Sequence, residues 1–171
     1  PFKFIICSVS TTDGPSDLNK YLARMDDHCY DSDSFNIGID DHASYCMTNS
    51  LSDFVDTPVK AKVFVSGIKG NLASRLKGTI RWLVEDDDGV VRELLIENSY
   101  YVPDLPVRLL SPQHLAQVLA PSESIKDETY AKALSNCVIL QWFNGQYKKT
   151  VFLNSANVAV FRSAPDYLRY Q

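Results

Sequence analysis

The chain has 171 residues, 45% of them hydrophobic and 22% charged, which is the ordinary balance of a soluble globular domain long enough to bury a real core. A formal net charge of −4 with no long Lys/Arg run excludes the electrostatic footprint of a nucleic-acid binder. The longest apolar stretch near the start, Phe4-Ile5-Ile6-Cys7, is too short for a membrane span or a signal-peptide core, so no membrane partner is expected.

In chain order, Phe2 to Val9 is predicted to be a strand, and Thr11-Thr12-Asp13-Gly14-Pro15 a turn. Ser16 or Asp17 caps a short predicted helix with Leu18, Tyr21, Leu22 and Met25 at helical spacing. The acidic stretch from Asp26 to Ser34 reads as a linker, so residues 1–34 form an N-terminal strand, helix and linker, and a folded unit is expected from Phe35. Phe35 to Asp40 and Lys60 to Val65 are predicted strands, the second followed by a glycine-punctuated turn from Ser66 to Asn71. Lys77 to Val84 and Val90 to Ile96 form a predicted hairpin around Asp86-Asp87-Asp88-Gly89. Ser99 to Val102 is a further short strand, stopped by Pro103 and Pro106.

Ser111-Pro112 then starts a helix, with Ser111 at the N-cap, Pro112 at the first helical position and Leu115, Val118 and Leu119 on its apolar face. His114 is expected to be exposed, and Pro121 to Ser135 to be loop. Cys137 to Phe143 and Gln146 to Leu153 form a hairpin turning at Asn144-Gly145, and Val158 to Phe161 adds an edge strand. Closely spaced short strands with one or two helices point to a mainly β, barrel-like domain over residues 35–120, with residues 121–171 as a loop and hairpin extension. The four cysteines (Cys7, Cys29, Cys46 and Cys137) have no regular spacing and read as reduced thiols of a cytosolic protein. The chain opens with Pro1 and has no initiator Met, as expected of a piece of something longer.

Two runs carry the chemistry. The first is Ile39-Asp40-Asp41-His42-Ala43-Ser44-Tyr45-Cys46-Met47-Thr48 and the second is Tyr100-Tyr101-Val102-Pro103-Asp104-Leu105-Pro106-Val107-Arg108-Leu109-Leu110-Ser111. In this order they resemble the protease region of copia-type retrotransposon polyproteins. There an apolar strand ends in Asp-Ser/Thr-Gly-Ala-Ser, followed by Met-Thr and later by Tyr-Val-Pro-x-Leu-x-x-Asn-Leu-Leu-Ser. The resemblance covers about residues 35–117. It implies a closed retropepsin-like β-barrel and aspartic peptide hydrolysis without a cofactor. It also implies an obligate homodimer with one Asp per subunit, and substrates that are junctions of the polyprotein, cut in the cytoplasm inside assembling particles.

Aligned on Ala43-Ser44, Asp40 takes the catalytic position, while Asp41 and His42 replace the Ser/Thr and Gly of the motif. A one-residue slip instead makes Asp41 catalytic, with His42 at the hydroxyl position and Ala43 at the glycine position. Ala43, Ser44, Leu109, Leu110 and Ser111 are the implied supports of the catalytic loop. Gly67, Ile68, Lys69 and Gly70 are the implied tip of a substrate-covering flap, glycine being suited to a lid that opens and closes.

Three rival readings stand beside this one. A degenerate member of the family would keep the fold and dimer surface without cleaving, as the altered motif favours. A metal-binding module would use His28, Cys29, His42 and Cys46, although their spacing lacks the paired ligands of structural zinc sites. An interaction module would use the aromatics Trp82, Tyr100, Tyr101, Trp142, Phe143 and Tyr147, most of which fall on predicted strands and suit a core. No Gly-x-Ser-x-Gly elbow is present.

Overall fold

The computed structural model describes residues 33–67, 70–120 and 129–166, and the side chains of 62–75 are not among those described. The predicted N-terminal strand and helix therefore lie outside the described residues, as does most of the linker. The fold is mainly β. A seven-stranded sheet runs in the order β10-β1-β6-β2-β5-β4-β3, and a three-stranded sheet in the order β7-β8-β9. In chain order the first sheet comprises β1 (Asn36–Ile39), β2 (Met47–Thr48), β3 (Val59–Gly67), β4 (Gly70–Glu85), β5 (Val91–Tyr101), β6 (Arg108–Leu110) and β10 (Val160–Arg162). The second comprises β7 (Tyr130–Ala133), β8 (Cys137–Trp142) and β9 (Tyr147–Phe152), and one helix, α1 (Pro112–Leu119), precedes it. Among the described residues no pairing joins the two ends of the large sheet, β3 and β10, so the expected barrel closure is not observed.

The long hairpin β4–β5 is the spine of the molecule. Its period-two alternation buries Ile80, Trp82 and Val84 on one strand and Leu94 and Ile96 on the other. The acidic turn closes it as the sequence predicts. Gly89 takes a φ of 76°, and Asp86 Oδ1 accepts from the N–H groups of Asp88 and Val90 while Oδ2 accepts from Arg92. Asp87 ties this turn to the second sheet by accepting from the N–H and hydroxyl of Thr150, each at 2.7 Å. The Asn144-Gly145 turn joins β8 to β9 as expected, with φ of 54° and 79° at its two central residues, as a type I′ turn requires.

Two expectations are corrected. Ser99 to Val102 is not a separate strand, because β5 continues to Tyr101 through a bulge. Tyr130–Ala133, placed in a loop by its polarity, pairs with β8 as an edge strand, where only a ladder partner and not an apolar face is needed.

The apolar interior has two parts. The larger gathers Ile37, Cys46, Trp82, Leu110, Leu115, Leu140, Trp142, Val151 and Phe161 among others, so strands of the C-terminal segment share one core with the hairpin. The smaller gathers Ala43, Met47, Tyr100, Val102, Leu105 and Leu109. Alternation along β6 sends Leu109 to one and Leu110 to the other.

One buried charge locks this arrangement. Asp53 lies in a 3₁₀ turn (Leu51–Asp53) and is 3% exposed. It accepts from Thr48 Oγ1 at 2.5 Å, from Trp82 Nε1 at 3.0 Å, and from Arg108 Nε and Nη2 at 2.6 and 3.0 Å. The Arg108 guanidinium also stacks 3.6 Å over the Phe35 ring. A buried charge is tolerated when it is paired and its lone pairs are filled, which four donors accomplish here. Removing one partner strands the other, so Asp53→Ala is expected to cost about 3–5 kcal/mol. Urea unfolding followed by tryptophan fluorescence measures it, and a loss below about 1 kcal/mol would show the pair to be dispensable.

Candidate active site

Asp40 follows the last residue of β1. Its backbone N–H donates to Leu110 O at 3.0 Å, which fixes where the chain leaves the sheet. Its side chain then shapes the turn. Asp40 Oδ1 accepts from the His42 N–H at 2.9 Å, and Asp40 O accepts from the Ala43 N–H at 3.3 Å. Asp40 is half-buried, whereas Asp41 and His42 are exposed at the tip. None of residues 40–46 has a positive φ, so within one subunit this turn needs no glycine and accommodates the Cβ of His42.

The two legs of the loop, β1 and β2, flank β6. β1 runs parallel to it, with Gly38 opposite Leu109, and β2 runs antiparallel, with Met47 opposite the same residue. Four of the five implied supports, Ala43, Leu109, Leu110 and Ser111, are thus brought together beneath Asp40. Ala43 is buried at 2% exposure, and its carbonyl accepts from Ser111 Oγ at 2.5 Å. That oxygen also accepts from the His114 N–H at 3.2 Å, so Ser111 caps α1 and fastens the loop at once. Leu109 and Leu110 pack on either side of β6. Ser44 is exposed and has no such role.

His114, expected at the surface, is 3% exposed. Its Nδ1 accepts from the Cys46 N–H at 3.0 Å, bracing the far leg of the loop. Helical spacing carries the missed signal, because His114 lies next to Leu115 and one turn before Val118 on the face that must be buried. Cys46 completes the clamp. Its sulfur accepts from the Ser111 N–H at 3.3 Å and donates to Ser111 O at 3.7 Å.

Burial sets the electrostatics. Desolvation lowers the His114 pKa to about 4, so the ring is neutral near pH 7 and its Nδ1 stays an acceptor. Desolvation pushes the Cys46 thiol up to about 12, partly offset by the Ser111 N–H. A thiol held protonated is a poor metal ligand. His42 is exposed, His28 and Cys29 lie outside the described residues, and no group of three metal-competent side chains occurs among those described. The Asp41 carboxyl is raised, first by desolvation against the loop and then by the charge of Asp40, with His42 opposing.

The implied flap is a β3–β4 hairpin in which Gly67 pairs with Gly70 at the end of the ladder. Its tip residues, Ile68 and Lys69, lie outside the described residues. Comparison with protein-family models, with curated proteins and with solved structures finds no match.

The clamp makes stability depend on pH. A histidine neutral in the fold takes up its proton more readily when unfolded, so stability falls as pH drops from about 6.5 to about 4. The expected loss reaches about 3 kcal/mol at the low end. Asp86 is lowered chiefly by Arg92. Asp87 is raised by burial but held lower overall by Thr150 and Lys148. The stabilisation from these two carboxylates is lost only below the ordinary carboxylate value, so the windows separate. His114→Asn, whose amide oxygen can replace Nδ1 as acceptor, should flatten the slope between pH 6.5 and 4 in urea unfolding. An unchanged slope would exclude His114 as its source. Ser111→Ala, which removes both the cap and the bond to Ala43 O, is expected to cost about 1–3 kcal/mol in the same assay.

Proposed function

We propose that this chain is a retropepsin-like aspartic endopeptidase of a copia-type retrotransposon polyprotein, active as a homodimer in which each subunit supplies Asp40. The observation that carries this reading is the position of Asp40 on a short loop whose two legs hold β6 between them, with the Leu109-Leu110-Ser111 run fastening it from below. The order of the two sequence runs supports it independently. On this reading the seven-stranded sheet belongs to a barrel of retropepsin type, and the β3–β4 hairpin is its flap. The substrates are junctions of the polyprotein, cut in the cytoplasm within particles.

The chemistry needs two carboxylates close enough to share one proton, since both cannot ionise at such a distance. A two-fold axis through the exposed loop tips supplies the second Asp40. The ionised carboxylate takes a proton from water as its oxygen attacks the scissile carbonyl carbon. The protonated partner donates to the carbonyl oxygen. Collapse of the tetrahedral intermediate breaks the C–N bond and passes a proton to the leaving nitrogen. Asp40 fits this role better than Asp41 because its backbone and one carboxyl oxygen are fixed by the turn.

A second reading, a degenerate scaffold that pairs without cutting, is favoured by the exposure of Asp41 and His42 at the tip. Opposed tips would bring additional carboxylates and imidazoles to the two-fold axis. The two readings separate in a self-cleavage assay of a longer polyprotein segment carrying this chain, from acidic to neutral pH, with and without pepstatin. Asp40→Asn is expected to reduce cutting by about 10²–10⁴-fold, the usual size of a general acid–base contribution, while Asp41→Asn retains it. Loss only with Asp41→Asn assigns the slipped register. No cutting at concentrations where sedimentation shows a dimer would establish the scaffold.

A further inference from the structure

A cleft of about 360 Å³ opens beside the far leg of the Asp40 loop, between β5 and α1, and its lining includes Tyr45, Lys77, Glu97, Asn98, Tyr100 and His114. His114 is its most buried polar group, at 3% exposure. Because Nδ1 accepts from Cys46, the neutral ring carries its proton on Nε2. That N–H has no hydrogen-bond partner among the described residues, and the ring borders open space. The Nε2–H therefore faces solvent in the cleft and is free to donate to an acceptor that enters it.

The rim is shaped by the bulge in β5. Gly78 pairs with Ser99 and Ile80 with Ile96, so Glu97 and Asn98 stand opposite Thr79 alone. Asn98 takes a φ of 56°, which asparagine tolerates better than most residues. Its Oδ1 accepts from Lys77 Nζ at 3.3 Å. That contact leaves the amide hydrogens of Asn98 and further ammonium hydrogens of Lys77 as donors beside the cleft. The walls are aromatic. Tyr45 meets Tyr100 edge to face at 5.0 Å and meets the His114 ring at 4.9 Å.

We propose that this cleft binds a carboxylate borne on an aromatic body, held by the His114 Nε2–H, Lys77 and the Asn98 amide with Tyr45 and Tyr100 against the ring. His114, Lys77 and Asn98 each bring a donor to the cleft, and the Lys77 charge favours an anion. The one lining carboxylate, Glu97, offsets part of the Lys77 charge and selects a monoanion over phosphate. Two sources present this chemistry, a small aromatic acid and the free C-terminus of a peptide ending in an aromatic residue. The site does not use Asp40, so it stands or falls independently of peptide hydrolysis.

The test is titration of the whole chain at pH 7 with phenylacetate, phenylacetamide, the tripeptide Gly-Gly-Phe and its C-terminal amide, followed by NMR of the histidine ring nitrogens and backbone amides. Each acid is expected to bind about tenfold or more tightly than its amide, the difference one charge-assisted contact makes, and to shift His114 Nε2. Lys77→Met, on a half-buried strand position, and His114→Asn, which retains an acceptor for Cys46, should each weaken binding about tenfold with the fold intact by amide spectra. Tighter binding of phenylacetate assigns a small acid, and tighter binding of the peptide assigns a C-terminus. Equal binding of acids and amides, no shift at His114, or unchanged affinity in Lys77→Met would overturn the proposal.

Discussion

Strand β6 has only three residues, yet both of its edges are paired, one with each leg of the same loop. This constraint organises the molecule. A strand enclosed this way cannot shift register without breaking two ladders, and a one-residue slip would also exchange Leu109 and Leu110 between the two apolar clusters. The pairings of β1 with β6 and of β2 with β5 are parallel, while all other strand pairings among the described residues are antiparallel. Parallel neighbours need long crossover connections. Because β6 lies between β1 and β2 in the sheet, the loop that bridges those two strands must pass over the end of β6, and Asp40 to Cys46 make that passage. Its buried backbone groups need partners, and Leu110 O, Ser111 Oγ and His114 Nδ1 provide them.

The electrostatic lock sits on the same strand. Arg108 opens β6 and forks onto Asp53, which in turn holds Trp82 of the central hairpin and Thr48 of β2. The placement of β6 is thus specified twice, by ladders along its edges and by a charge pair at its start. The pair contributes specificity more than net stability, since the attraction of two buried ions is largely offset by their desolvation. A misplaced β6 would leave Arg108 or Asp53 buried without its partner, and that penalty separates the native arrangement from near alternatives.

Much of this was legible in the sequence wherever a local rule operates. The Asp86–Gly89 and Asn144-Gly145 turns, the Ser111-Pro112 helix start and the alternation of β4 and β5 are all short-range signals, and each corresponds to an element found. The failures share a cause. Met47–Thr48 is too short to show alternation, and Tyr130–Ala133 is too polar, so both are strands only because a partner lies alongside. Asp53 looks like a surface polar residue until tertiary contacts bury it, helical spacing signals only that His114 is buried, and nothing local reveals that each will find donors or acceptors from distant segments. Ala43, Leu109, Leu110 and Ser111, singled out by pattern, lie together beneath the loop, but their bonds were not legible, because Ser111 and Ala43 meet only once the chain has crossed β6.

The tip of the loop and its base obey opposite proton rules. At the base, His114 must remain neutral to accept from Cys46, so the clamp weakens as the pH approaches about 4. At the tip, desolvation and Asp40 favour the protonated form of Asp41, so acid removes charge there. Because Asp41 is exposed, water screens that effect and it adds little to the stability of one subunit. In the proposed homodimer its weight would increase, because like charges would converge and water would be displaced where the two tips meet. Acid therefore acts at both ends of the loop, removing charge at the tip and weakening the clamp at the base.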